Sequence, residues 1–192
     1  MLRQMINAAA MLMVFTIITG LVYPLAMTGL AQALFPFEAN GSIIVQDGKS
    51  IGSALIGQDF TSPHYFHGRP SAAGADGYDA ASSGGSNLGP TSKKLAETVP
   101  GRIAKTRDQN KINEPKPVPS DLVLASGSGL DPDISPAAAY VQIERVANAR
   151  GLATSEVRKL VDQRIKDRQF GIFGEPRINV LELNLALGNL KH

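Results

Sequence analysis

The chain contains no cysteine among its 192 residues. This absence excludes disulfide bonds, thiolate zinc sites and cysteine nucleophiles. The sequence also lacks the G-x-S-x-G nucleophile elbow, the H-E-x-x-H zinc motif, the G-x-x-x-x-G-K phosphate loop and the G-x-G-x-x-G dinucleotide fingerprint. We therefore expect a chain with no catalytic residues, and not a hydrolase, zinc protease, nucleotide hydrolase or dehydrogenase.

A strong excess of charge of one sign is missing as well. Nineteen Lys and Arg residues stand against seventeen Asp and Glu residues, which leaves a net charge of +2. From Lys93 onward the basic residues are scattered among acidic ones, without the basic stripe and interleaved aromatics that are typical of nucleic-acid binding. We expect no nucleic-acid partner.

Formal charge is absent from a long amino-terminal stretch between Arg3 and Glu38, and residues 8–34 within it are dense in apolar side chains. About 20 such residues in a helix suffice to cross a bilayer. We predict an anchor over 1–40 with one transmembrane helix over about 8–34. A cleaved signal peptide is the competing interpretation, because Ala31-Gln32-Ala33 has the small-x-small form. Signal-peptide cores, however, run only about 7 to 15 residues.

The orientation of this span depends on the cations near its two ends. Arg3 and the terminal amine lie on the short side, whereas the first fifteen residues beyond Phe37 include Glu38, Asp47 and a single cation, Lys49. Positive residues favour the cytoplasmic side. We predict a cytoplasmic amino terminus and a main domain outside the cytoplasm.

Small or polar residues recur at every fourth position inside the span. They are Thr16, Gly20, Pro24, Thr28 and Gln32. Small side chains let another helix approach closely, and Thr or Gln can hydrogen-bond across the contact. We predict that this stripe is a packing face for partner helices. The alternative is that Gly and Pro are simply common in membrane helices.

Residues 41–192 are predicted to form one mixed extramembrane domain, so the fold class is α+β behind a single membrane helix. Two β-favouring runs, 42–45 and 51–56, flank Asp47-Gly48, which is a hairpin turn signal. Residues 65–67 are a further candidate strand. Residues 70–90, rich in Gly, Ser and Ala, predict a long loop.

The second half of the domain is predicted to be largely helical. Residues 91–108 have helical apolar spacing, but Pro100-Gly101 in the middle predicts a kink or a break. Residues 110–120, with three prolines, predict an extended connector.

Helix start and stop signals then define a helical hairpin and a last helix. Ser135-Pro136 predicts the start of a helix that ends at Gly151, and a second helix follows from Thr154 to about Lys166. Asn179, with a glutamate three residues later, has the form of a capping box and predicts a final helix.

Two polar clusters are candidate ligand sites. His64 and His67 form an H-x-x-H without further ligands at metal-site spacing, so we predict no metal site. The backbone of residues 82–87 could present N–H groups to an anion. Since neither a lysine nor a helix start follows directly, a flexible surface loop is the favoured interpretation.

Several short sequence motifs resemble those of the KdpC family, whose members are components of Kdp-type potassium-transporting ATPases. The matching blocks are Gly52–Gln58, Tyr65–Ser71, Ala81–Leu88, Ala125–Pro132, Ile134–Ala138, Gln142-Ile143, Arg145–Ala147 and Asn179–Asn184. They follow one another in the order of the family, with the single span ahead of them. The resemblance therefore covers essentially the whole chain.

This resemblance implies an accessory, non-catalytic subunit of a bacterial inner-membrane complex that imports potassium with high affinity. Its implied partners are the lipid bilayer, a channel-like pore subunit and an ATP-hydrolysing P-type subunit. Neither activity of those subunits is expected here, because the chain lacks D-K-T-G and T-V-G-Y-G. Its implied role is assembly and regulation of the complex.

The family is further credited with raising the ATP affinity of the pump subunit. That role implies a nucleotide contact through Ser83, Gly84, Gly85, Ser86 and Gln142, with ATP as a weakly bound ligand and no tightly bound cofactor. A domain outside the cytoplasm does not meet cytoplasmic ATP, so this role conflicts with the predicted orientation. The alternative is a cap over the ion entrance of the pore subunit without nucleotide contact.

Overall fold

The computed structural model describes residues 1–190 and separates the chain into a unit Met1–Ser53 and a second unit that begins at Ala54. The sequence alone suggests a boundary after residue 40. The difference arises from the short hairpin over residues 43–53, which clusters with the membrane helix and not with the domain that follows.

The first unit is dominated by one long apolar helix. Leu2–Leu34 comprises 33 residues, and an 18-residue stretch within it has a mean hydropathy of 2.1, so the helix is long and apolar enough to cross a membrane. It consists of α1 (Leu2–Ile17), a π-helical turn (Ile18–Val22) and α2 (Tyr23–Leu34), and the one-turn helix α3 (Pro36–Ala39) follows. The helix begins six residues before the predicted span, because Leu2 to Asn7 also adopt helical geometry.

A two-stranded antiparallel hairpin completes the first unit. Strand β1 (Ile43–Gln46) pairs with β2 (Lys49–Ser53). The turn residues Asp47 and Gly48 have φ of 50° and 75°, values that fit the twist of a two-residue hairpin loop. The predicted hairpin and its turn are confirmed.

The second unit is built around a helical core. Helices α5 (Pro136–Arg150), α6 (Thr154–Arg164) and α7 (Val180–Gly188) pack with the short antiparallel pair β3 (Asp133–Ile134) and β4 (Ile178–Asn179). Their apolar faces enclose the fully buried side chains Phe66, Ile178, Leu183, Leu187, Val146, Val157 and Val161.

The predicted helix signals act as expected in this core. The Ser135 hydroxyl accepts from the amide of Ala138, Gly151 ends α5 at φ 68°, and the side chain of Asn179 accepts from the amide of Glu182. These caps satisfy backbone groups that a helix end leaves without partners. The helical hairpin and the last helix are confirmed, whereas β3 and β4 were not predicted.

The predicted break at Pro100-Gly101 is wrong, whereas the alternative of a kink in a continuous helix stays a prediction. Helix α4 (Lys93–Asn110) runs through both residues, with the Ser92 side chain capping its start and Lys111 in the left-handed conformation at its end. Pro100 and Gly101 are exposed, as is Ala96, whose carbonyl loses the bond that Pro100 cannot donate. The lost bond therefore lies on a solvent-exposed part of the helix, and α4 continues through it.

The predicted strand at 65–67 is also wrong. The segment has no strand partner among the residues that the structure describes. Its backbone groups are bonded instead by two amide side chains, Asn184 on Phe66 and Gln142 on His67. The β-favouring composition did indicate an extended segment, but side chains take the place of a neighbouring strand.

Candidate functional site: a helix face and a polar cavity

The membrane helix contains a π-helical turn next to its proline. Pro24 has no N–H, so it cannot bond the carbonyl of Gly20 one turn earlier. Over Ile18–Val22 the bonding pattern widens, and the amide of Tyr23 donates to the carbonyl of Ile18, five residues back. The turn therefore includes one residue more than a regular helix.

This turn changes how the predicted stripe is arranged. In a regular helix, two residues four positions apart differ by about 40° in their angular position around the helix axis. Thr16 and Gln32 would therefore lie roughly 160° apart around the axis. One extra residue within the helix removes roughly 100° of that rotation. Thr16, Gly20, Pro24, Thr28 and Gln32 are thereby brought towards one side of the helix.

The members of the stripe differ in their bonding. All five residues are exposed, as is nearly all of the span. Gln32 exchanges side-chain hydrogen bonds with Asn40, at 3.1 and 3.3 Å, beyond the end of α2. Thr19, next to Gly20, bonds the carbonyl of Phe15 at 2.7 Å. The small surface at Gly20 and Thr28 is open, whereas the amide of Gln32 is already engaged.

Gln142, the predicted nucleotide contact on α5, is 1% exposed. Its oxygen accepts from the His67 amide at 2.8 Å and from Arg145 at 2.7 Å. Its nitrogen donates to the carbonyls of His67 at 3.2 Å and Ala138 at 3.1 Å. A side-chain amide has two donors and two acceptor positions, so Gln142 is fully bonded within the protein.

Arg145 lies one turn further along α5 and carries a half-buried positive charge. Its guanidinium donates to four uncharged oxygens, those of Asn110, Pro63, Tyr65 and Gln142, at 2.7 to 2.9 Å. Burial lowers the pKa of this group to about 10. The guanidinium ties α5 to the end of α4 and to the chain around residue 64.

The two histidines of the H-x-x-H both contact Ser62. The Nε2 of His67 donates to the Ser62 carbonyl at 3.0 Å, and the Nδ1 of His64 lies 3.2 Å from the Ser62 hydroxyl. Burial, with the charge of Arg145 next, lowers the pKa of His67. Among residues 1–190, no group of three or more His, Asp or Glu side chains has the arrangement of a metal site.

The predicted nucleotide loop, Ser83 to Ser86, packs against the loop that precedes β3. The Gly84 amide and the Ser83 hydroxyl both donate to the Ser128 carbonyl, at 2.8 and 2.9 Å. A Cβ at Gly85 would lie 2.8 Å from the carbonyl oxygen of Gly127. The loop glycine permits this contact between two backbones, while the side chains of Ser83 and Ser86 are exposed.

Tyr78 packs against two glycines, Gly57 and Gly68, near the start of the second unit. Its hydroxyl donates to the Arg69 carbonyl at 2.6 Å. A Cβ at Gly57 or Gly68 would lie 2.9 or 2.7 Å from the ring or its oxygen. Burial, with the charges of Asp59 and Asp131, raises the pKa of Tyr78 to about 12.

A polar cavity of about 290 Å³ lies between α4, α5 and the segment before residue 78. Gln142 and His67 line it, together with the cations Arg102 and Lys105. Further lining residues are Asp59, Asp76, Arg69, Tyr78, Gln109 and Asn110. Ser83, Gly84, Gly85 and Ser86 do not line this cavity, so the two parts of the predicted nucleotide contact are not brought together there.

The sequence analysis did not predict a structural role for three residues of this region, namely Asn184, Tyr78 and Arg145. Asn184 is buried and interrupts the apolar face of α7 between Leu183 and Leu187. A polar residue at a core position must find a hydrogen-bond partner, and this signal was available. Tyr78 and Arg145 gave no comparable pattern, because their partners are distant in sequence.

Comparison with known proteins gives one consistent result. The family model described as KdpC, the c chain of K⁺-transporting ATPases, matches residues 5–189. A potassium-transporting ATPase KdpC subunit of Gemmatimonas aurantiaca is 55% identical over 190 residues, which covers 99% of this chain and 94% of that protein. The protein of the same name from Burkholderia vietnamiensis is 59% identical over 174 residues, with 91% and 90% covered.

Proposed function

This chain belongs to the KdpC family of K⁺-transporting ATPases, and from that premise we propose that it is an accessory, non-catalytic subunit that assembles and regulates a potassium import complex. Its proposed partners are a pore subunit and an ATP-hydrolysing P-type subunit in a bacterial inner membrane. The amino terminus is proposed to lie in the cytoplasm and the main domain outside it.

The observation that carries this proposal is the membrane helix. Its 33 residues include an apolar stretch of 18 and are exposed along nearly their whole length, and the π-helical turn gathers the small and polar residues towards one side. Lipid does not require such a face, whereas close packing of helices does. We propose that Gly20 and Thr28 form the centre of the contact with partner helices.

Co-purification tests the helix contact. Gly20→Leu with Thr28→Leu adds bulk to the open part of the stripe, and we expect most of the partner subunits to be lost from the purified chain. Ala26→Leu is the control, since it places an added leucine about 160° away from Thr28. Equal recovery of partner subunits with the double variant and with the control would refute the contact.

The proposed role of the main domain is a cap over the ion entrance of the pore subunit. Support comes from the architecture: Gln142, Arg145 and Asn184 serve to hold the fold together, and the Ser83 to Ser86 loop packs against another loop. A domain of this kind offers surface to a neighbour and needs no reactive group.

The competing function is regulation by nucleotide contact. The cavity favours it, because Gln142 lines it together with Arg102 and Lys105, and the buried Nε of Arg69 has no hydrogen-bond partner within residues 1–190. Binding of a fluorescent ATP analogue to the purified full chain separates the two functions. The cap predicts no saturable binding, whereas a regulator would bind the analogue and lose it on Ser83→Ala or Lys105→Ala.

A further inference from the structure

The chain between α6 and β4 forms a small apolar protrusion. Backbone bonds between Lys166 and Arg177 and between Gln169 and Phe173 join its two arms. At its end, Phe170, Ile172 and Phe173 are 82%, 70% and 64% exposed. We refer to these three side chains as the apolar tip.

The backbone of the protrusion presents these side chains in a defined turn. The amides of Gln169 and Phe173 each donate to the other's carbonyl, both at 2.9 Å. Phe170 and Gly171 have φ of 54° and 73°. For Phe170 this left-handed geometry is unfavourable, because it brings the Cβ close to the following carbonyl oxygen. A large apolar residue is thus exposed at a position where glycine or asparagine would be easier to accommodate.

Charge is confined to the base of the protrusion. Residues 169–174 carry no formal charge. The base of the protrusion contains three ion pairs. They are Arg168–Glu175, Lys166–Glu182 at 2.9 Å and Arg177–Asp133 at 3.1 Å. An uncharged apolar end next to a charged base, most of whose charges are paired, matches the change from hydrocarbon to headgroups at a bilayer surface.

The size of the tip distinguishes between possible occupants. Three side chains of this kind expose on the order of 400 Å², taking about 200 Å² for each when fully exposed. A stable protein interface buries about 800 Å² on each partner. A bilayer needs no complementary surface, and the membrane helix of the same chain already holds the domain at the membrane, so a weak second contact is effective.

We propose that the apolar tip inserts into the headgroup and upper acyl region of a phospholipid bilayer, as a second membrane contact of the anchored chain. The contact would restrict the domain at the membrane surface before and after assembly. It rests on the membrane attachment proposed above, and it goes beyond the helix face, which addresses other subunits.

Depth-dependent quenching tests this contact, and the absence of native cysteine allows a single label. The full chain with Ile172→Cys is labelled with an environment-sensitive fluorophore and reconstituted, without other subunits, into vesicles of phosphatidylethanolamine and phosphatidylglycerol. A second sample carries the label at the exposed Ala96→Cys of α4. Emission is quenched either by lipids with a spin label at acyl carbon 5 or by aqueous iodide.

We expect the label at position 172 to be quenched by the lipid at least twofold more than the label at 96, and to be shielded from iodide. Phe170→Ser with Phe173→Ser should abolish this difference, while flotation with the vesicles shows that the helix still anchors the chain. Iodide quenching without lipid quenching overturns the proposal. Shielding that arises only with the other subunits present, without lipid quenching, also overturns it and assigns the tip to a protein partner.

Discussion

Single residues of the second unit hold the extended segment 65–67, which has no neighbouring strand within residues 1–190. Gln142 and Asn184, from α5 and α7, each bond the amide and the carbonyl of one residue, His67 and Phe66 respectively. A buried backbone group without a partner is costly, so these amides act as substitutes for a strand. We assign Gln142 a structural role on this basis.

Replacement of Gln142 by leucine should destabilise the protein. The change leaves both backbone groups of His67 unpaired in a partly buried place, and we expect the free energy of unfolding to fall by about 3 kcal/mol. Urea unfolding of the full chain in detergent, followed by circular dichroism, measures it. Gln109→Leu, at an exposed glutamine of the same cavity, is the control and should change it by less than about 0.5 kcal/mol.

His67 gives a pH dependence whose sign follows from its surroundings. Burial, Arg145 and Lys105 lower its pKa, although the Ser62 carbonyl and Asp59 act in the opposite direction. The unfolded chain, with a histidine pKa of 6.5, therefore takes up the proton more readily than the folded chain. The stabilisation that comes from neutral His67 is present above pH 6.5 and is lost as the pH falls through the pKa of His67 in the folded chain.

We expect the free energy of unfolding to decrease between about pH 7.5 and 5.5, the range in which histidine titrates. His67→Gln keeps a donor for the Ser62 carbonyl and should flatten this part of the profile. Urea unfolding at a series of pH values measures both proteins. An identical slope for the variant would show that His67 is not the group responsible.

Loop packing is the main structural device at the scale of elements. The loop with Ser83 to Ser86 and the loop with Ser126 to Gly129 meet through their backbones, because Gly85 and Gly129 leave no room for a Cβ. Glycines in this sequence motif would also be compatible with an anion-binding loop. The close backbone contacts at Gly85 and Gly129 account for these glycines without a ligand.

Alanine at two neighbouring glycines separates these explanations. A Cβ at Gly85 would lie 2.8 Å from the Gly127 oxygen, whereas a Cβ at Gly84 would meet nothing within 4 Å. We expect Gly85→Ala to lower the free energy of unfolding by about 1 to 3 kcal/mol, the usual cost of overpacking. Thermal unfolding of both variants measures it. A loss of stability that is equal for Gly84→Ala and Gly85→Ala would contradict the packing account.

Elements with strong local signals were predictable from sequence. The hairpin at Asp47-Gly48 and the helix starting at Ser135 depend on residues next to one another, and both are confirmed. The pair β3 and β4 has only two residues in each strand, and its partners are more than 40 positions apart. The break expected at Pro100 failed for a related reason, because exposure of that side of α4 decides whether the lost bond matters.

The whole molecule was predictable where composition decides the structure. An uncharged apolar stretch of this length determines the membrane helix, and the α+β class follows from the separate strand and helix signals. The cavity was not predictable, since it joins residues such as Asp59, Arg102 and Gln142 from three distant segments. Its existence depends on how these segments pack, and no local pattern records that.

The central claim is that an anchored, non-catalytic domain lies outside the cytoplasm, where it meets partner subunits and not ATP. Single cysteines at the exposed Ser50 and Ser128, in a chain without native cysteine, test it directly in intact cells. A membrane-impermeant maleimide should label both positions before lysis, to the same extent as after lysis. Labelling that requires lysis would place the domain in the cytoplasm and contradict the account.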